Sequence, residues 1–341
     1  MGKKYLIGII LITLVLLLVG IFYADGVSSL KLAIENLEPR YVFLILGLMF
    51  AYWLSQAIII MQLAHNQGQA MSLYAAFKTY MIGEFFSAVT PFSSGGQPMQ
   101  VFYMSGIGIP TGVSTSILGV QLFFYTVARL LITFALSIYH GDFFYARGYA
   151  FTYMLVLGLI VGVAMVVFMV LAAYKPEFVK KIVLGFYKFL LKIKILKPKD
   201  EFVEKIEGEI ENFNLGLQTF RGQSLVFYIM MIVENIIGYL VFYAMTYYIF
   251  VSYGVRPPSV SLTFAICAAV QISSGYIPIP GASLGAEGMF YLMFSSILPE
   301  GAPIFLVLLT WRLTTYYVKI LLTFPFTIKL KEEKQLKNNK L

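Results

Sequence analysis

The chain has 341 residues, 59% hydrophobic and only 12% charged, with a formal net charge of +8 and a mean hydropathy of +0.81. A soluble domain carries about a quarter charged residues, so this composition leaves too little polar surface for water and points to an all-α polytopic membrane protein. The positive charge sits in loops and at the C-terminus, where it acts as a topology determinant and a contact for anionic lipid heads, not as a nucleic-acid site.

Residues 5–23 form a charge-free apolar run behind Lys3 and Lys4. At about 1.5 Å per residue the run is long enough to span, and it reads as a retained first helix with the N-terminus in the cytoplasm. Residues 24–40 mix both charges and read as an external loop. Residues 41–63 return inward. Residues 72–108 follow, with a break at their centre. Residues 111–138 span outward, 140–147 make a short external loop, and 150–173 span inward.

Residues 174–224 are the long polar stretch. They hold ten Lys/Arg, which places them in the cytoplasm by the positive-inside rule. In their first part Glu177, Lys181, Lys188 and Lys192 share one helical face, which suits a helix lying in the headgroup plane. In their second part Phe202, Ile206, Ile210, Phe213, Leu217 and Phe220 form an apolar stripe at steps of four and three. The segment reads as a helical hairpin linking two membrane halves. The alternative is a docking surface for a synthase partner. Residues 225–251 span outward, 260–276 and 283–298 flank a second break, and 302–325 span inward. Lys329 to Lys340 hold the C-terminal tail, residues 329–341, in the cytoplasm.

The two breaks have the same character. The first is Thr90-Pro91-Phe92-Ser93-Ser94-Gly95-Gly96-Gln97-Pro98, and the second is Ile277-Pro278-Ile279-Pro280-Gly281-Ala282-Ser283-Leu284-Gly285-Ala286-Glu287-Gly288. Proline lacks the backbone N–H and glycine loses most entropy on ordering, so neither stretch continues a helix. Their apolar flanks are each too short to cross a bilayer alone. Irregular backbone at membrane depth survives only where protein or a water-filled cavity satisfies it. The expected fold is therefore about six full transmembrane helices plus two re-entrant helix pairs. With both termini inside, the first pair (half 41–173) enters from the cytoplasm and the second (half 225–325) from outside, so the halves are inverted.

Ionisable residues left in the apolar segments are Glu84, Arg129, Glu234, Glu287, Arg312 and Lys319. Each costs about 2.5–3.5 kcal/mol at a helix centre, so each needs a partner or water. Lys319 lies near the inner end of its span and reads as a snorkelling side chain. Arg129 and Arg312 each follow a broken pair, and a guanidinium binds phosphate bidentately without losing its charge. Two readings stay open. Glu84–Arg129 and Glu287–Arg312 could be structural ion pairs, or the four could line a substrate path with Glu234. Ser93, Ser94, Gly95, Gly96, Gln97, Pro280, Gly281, Ser283 and Gly285 complete the candidate path. Half-helix N-termini near Gln97 and Ser283 would offer free N–H groups to a phosphate. No metal site or cofactor is expected, because His65 and His140 lie far apart in sequence and, in the expected topology, on opposite sides of the membrane.

The Thr90–Gln97 segment with Tyr103 beyond it, the Pro278-Ile279-Pro280-Gly281 run continuing to Gly285-Ala286-Glu287-Gly288, and the basic loop between the halves resemble the flippase-like family named after the transmembrane region of lysylphosphatidylglycerol synthase. The resemblance covers roughly residues 5–328. Gln97 stands where members often carry an acidic residue. The resemblance implies translocation of a lipid between leaflets of the cell membrane, aminoacylated phosphatidylglycerol in the best-known members. It does not imply synthesis: a soluble aminoacyl-transfer domain would follow the membrane region, and here a short Lys-rich tail follows. Competing readings are a membrane scaffold for a separate lipid aminoacyltransferase and an intramembrane lipid-modifying transferase. A homo-oligomer is compatible with all three.

Overall fold

The computed structural model describes residues 38–146, 149–175, 200–275, 285–299 and 302–328, with scattered positions between 177 and 191. Among these residues five helices are long and apolar enough to cross a membrane: Pro39–Asn66, Thr111–Tyr139, Thr152–Leu171, Leu225–Ser252 and Ile304–Thr327. They coincide with five of the expected spans. The sixth, residues 5–23, lies outside the described residues, as do the tail and most of the first half of the basic hairpin.

In chain order the helices are α1 (Pro39–Asn66), α2 (Leu73–Ala88), α3 (Gly96–Gly106), α4 (Thr111–Tyr139), the short α5 (Gly141–Ala146), α6 (Tyr149–Tyr174), α7 (Asp200–Arg221), α8 (Leu225–Ser252), α9 (Val260–Ser274) and α10 (Gly285–Ser295). The last span opens as α11 (Ile304–Arg312), widens into a π-helical stretch (Leu313–Val318) and closes as α12 (Lys319–Thr323).

Local chemistry sets the boundaries. Pro39 stands in the first turn of α1, where no N–H is missed. Ser72, Ser224 and Ser259 cap α2, α8 and α9, each side chain accepting a backbone N–H from three residues on. The first break is built by Thr90, whose hydroxyl donates to Phe86 O at 2.6 Å and accepts from Gly95 N at 2.9 Å. Between them Phe92 and Ser93 both adopt φ of 54°, a left-handed conformation that is strained for residues with a Cβ.

The halves pack with matching partners. The first spans of each, α1 and α8, lie along each other. α2 packs on α3 as α9 packs on α10. The span that follows each pair rests on the other half's first short helix: α4 on α9, and α12 on α2. Close approach of α2 and α3 depends on two glycines. A Cβ on Gly96 would meet Ser87 Oγ at 2.0 Å and Gly83 O at 2.8 Å, and one on Gly83 would meet the Gln100 side chain at 2.4 Å.

One end of the bundle is marked by α7. Gln67 donates to Gly216 O, Gln223 donates to Asn66 Oδ1 at 3.2 Å, and Tyr228 donates to Phe220 O at 2.5 Å. Leu217 and Phe220 from the apolar stripe are buried there. The end of α1, the start of α4 and the start of α8 therefore meet at this end, and short loops tie both ends of the α2–α3 pair to it. At the other end His140 Nε2, just past α4, lies 3.1 Å from Ser261 Oγ on α9. Phe294 near the end of α10 sits 4.6 Å, centroid to centroid, from Phe250 near the end of α8. The α9–α10 pair starts and finishes there. The outer face of α6 exposes Leu157, Ile160 and Val163, an apolar surface suited to lipid tails.

Candidate functional site

The tip of the first broken pair and the end of α9 meet near the middle of the bundle, and a cavity of about 570 Å³ opens between them. α1 supplies Tyr52, Trp53 and Gln56. α2 and the break supply Glu84, Ser93 and Ser94, and α3 supplies Gln97 and Gln100. α4 contributes Gln121, Tyr125 and Arg129, α9 contributes Gln271, and the last span contributes Lys319. A smaller cavity of about 200 Å³ shares the wall of Phe92, Ser93, Phe242, Gln271 and Lys319 and extends to Trp311, Arg312 and Tyr316.

Three charges line the larger cavity among the described residues. Lys319 Nζ lies 3.1 Å from Glu84 Oε2. This changes one expectation and adds to another. Lys319 faces the cavity instead of snorkelling to a headgroup, and Glu84, expected beside Arg129, has Lys319 as a partner. The cause is the packing of α12 across α2, which brings 319 to the depth of 84 although the two are far apart in sequence. Arg129 also lines the cavity, with its guanidinium carbon 6.0 Å from the Tyr125 ring centroid, beside Gly275 at the end of α9.

The second carboxylate is held as expected for the structural alternative. Arg312 Nε donates to Glu287 Oε1 at 2.6 Å, with the arginine side chain 10% exposed. Its guanidinium also sits 4.8 Å over the Tyr316 ring, and Tyr316 donates to Ala88 O at 3.1 Å, tying the last span to the tip of α2. Arg312 directly precedes the π-helical stretch, in which i→i+5 bonding adds a residue to a turn and re-aims the side chains that follow.

The other predicted residues divide clearly. Glu234 lines neither cavity; it accepts from Gln62 Nε2 at 3.1 Å across the α1–α8 contact. Gly95 and Gly96 serve the turn and the close packing of α3, not a cavity wall. Pro280, Gly281 and Ser283 fall outside the described residues. Gly285 is the first residue of α10, and Glu287 lies in its first turn. The residues that sequence reasoning passed over are four glutamines. Gln56, Gln100, Gln121 and Gln271 join the expected Gln97 from four helices at one cavity, and their signal was amide side chains recurring inside otherwise apolar segments.

The family model of the lysylphosphatidylglycerol synthase TM region matches residues 5–323, which takes in both broken pairs and the cavity between them. The chain belongs to this family. A UPF0104 membrane protein from Archaeoglobus fulgidus is 24% identical over 293 residues, covering 80% of this chain and 81% of that protein. No solved structure matches the chain. Membership of this family and the five apolar spans together make it an integral membrane protein.

Proposed function

We propose that this chain is a flippase-like transporter that carries the headgroup of a phosphate-bearing lipid through the central cavity while the acyl chains stay in the bilayer. The observation that carries the reading is the charged, amide-lined cavity of about 570 Å³ where the tip of the first helix pair meets the end of α9, which enters from the opposite end of the bundle. Its volume falls in the roughly 300–1,000 Å³ range of small-molecule sites. α2, α3, α9 and α10 have 16, 11, 15 and 11 residues, or about 24, 16, 22 and 16 Å of helix. Each is shorter than the ~30 Å hydrocarbon core, which favours two re-entrant pairs in inverted halves. Such halves suit alternating access, with the two halves rocking about a fixed site.

In this mechanism Arg129 and Lys319 face the lipid phosphate. The guanidinium offers a planar fork to two oxygens, and the ammonium acts as a point charge. Glu84 stays paired with Lys319 and aims its ammonium at the phosphate when a headgroup enters. The basic residues of 174–224 favour placing the α7 end in the cytoplasm of the cell membrane.

The test is reconstitution into liposomes with fluorescent phospholipids and measurement of leaflet exchange by reductant quenching. Exchange that is lost in Arg129→Ala, with folding intact, is the expected result. A wild-type chain that exchanges no phosphate-bearing lipid, with or without an ion gradient, overturns the reading.

A further inference from the structure

The chemistry of the cavity wall narrows the headgroup. Glu84 is the one carboxylate lining the larger cavity among the described residues, and Lys319 already holds it at 3.1 Å. The next carboxylate along the path, Glu287, is held by Arg312 at 2.6 Å. A cationic headgroup would therefore find both acids engaged by protein cations, and it would meet Arg129 as well. Two aromatic side chains of the wall are already engaged by protein groups. Tyr52 packs edge-on to Tyr80 and against Phe242, and Tyr125 lies beside the Arg129 guanidinium.

The wall instead offers amides. An amide both donates and accepts, so it matches hydroxyl groups. Gln56 is 1% exposed, lines the cavity, and its Nε2 finds no acceptor among the described residues. A buried donor left unmade costs free energy that a ligand oxygen would recover. Gln271 accepts from Tyr243 OH at 3.3 Å through its Oε1, which leaves its amide N–H groups for the cavity. Gln100 and Gln121 are also buried in the wall.

Resting on the lipid-headgroup reading above, we infer that the cavity selects a net-anionic phosphodiester headgroup bearing free hydroxyls, of the glycerol or glycosyl type, over a cationic aminoacylated or choline headgroup. Arg129 and Lys319 take the phosphate. Gln56 and Gln271 take the hydroxyls.

The experiment is native mass spectrometry of the purified full chain in detergent, titrated with short-chain lipids that share acyl groups. The lipids are phosphatidylglycerol, phosphatidylinositol, phosphatidylmethanol, lysylphosphatidylglycerol and phosphatidylcholine. Phosphatidylglycerol and phosphatidylinositol should bind about tenfold or more tightly than the lysyl and choline lipids, and a few-fold to tenfold more tightly than phosphatidylmethanol, which has no hydroxyl. Gln56→Leu should erase the advantage over phosphatidylmethanol while leaving phosphatidylmethanol binding in place. Gln271→Leu serves as the second variant if the first does not fold. Equal or tighter binding of the lysyl lipid overturns the charge argument, and equal binding of phosphatidylglycerol and phosphatidylmethanol overturns the hydroxyl argument. Failure of the transport reading looks different: selective binding persists in detergent but no lipid exchanges in liposomes. Absence of binding by any lipid overturns both.

Discussion

Replacing Lys319 by Met would leave Glu84 as a carboxylate without its cation inside the bundle. The two charges lie 3.1 Å apart with side chains 21% and 22% exposed. At an effective dielectric of ~20 two unit charges at that distance attract by about 5 kcal/mol before desolvation is counted. Removing one partner of a fully buried pair costs about 3–5 kcal/mol, and water reaching this pair from the cavity reduces that to about 2–3 kcal/mol. Glu84→Gln should cost less, because the flexible lysine can turn its ammonium towards the cavity. The double variant Glu84→Gln/Lys319→Met removes both charges and should recover most of the loss, giving a coupling energy of about 2 kcal/mol. The assay is a four-way cycle measured by equilibrium unfolding in bicelles. Coupling below about 0.5 kcal/mol, the level of independent sites, would refute the pairing and return Lys319 to a headgroup contact. Leaflet exchange adds a second readout. The double variant should fold yet remain impaired in transport, since the phosphate has lost one of its two cations. Glu84→Gln alone should raise affinity for anionic lipid by freeing Lys319.

Three further predictions follow from named contacts. Arg312→Met should destabilise by about 3 kcal/mol, because it strands Glu287 beside a buried position, and Glu287→Gln on that background should restore stability; a single variant as stable as wild type in the same unfolding assay would contradict the ion pair. Gly96→Ala should cost more than Gly83→Ala, since the first Cβ meets the backbone of α2 at 2.8 Å whereas the second meets only the movable Gln100 side chain. Comparing the two midpoints tests whether α2 and α3 are in contact as described, and the reverse order would argue against it. Phe92→Gly should relieve the left-handed strain at φ 54° and raise stability by up to about 1 kcal/mol, while changing access to the cavity whose wall Phe92 forms; a loss of stability would mean that the ring's contacts outweigh the strain.

Much of the fold is legible in the sequence because the bilayer is a demanding solvent. Five described spans follow from uninterrupted apolar length alone, and the break at 90–98 follows from residues that cannot continue a helix. The stripe ending in Phe213, Leu217 and Phe220 already implied a face that packs, and two of the three are buried against α4 and α8. The pairing of charges was less legible. Glu287 and Arg312 are 25 residues apart on consecutive elements, and local order brings them together. Glu84 and Lys319 stand in different halves of the chain, 235 residues apart (319 − 84), and their meeting depends on how one half crosses the other.

Hydropathy and helix-breaking residues, which act locally, thus determined that the chain enters a membrane, where it spans and where the first pair must turn. Only the tertiary structure decided that α12 lies across α2, that Lys319 takes Glu84, and that glutamines from α1, α3, α4 and α9 converge on one cavity. Those outcomes depend on the relative depth and rotation of packed helices, set by close contacts such as Gly96 against Ser87, and no periodicity within a single helix encodes them.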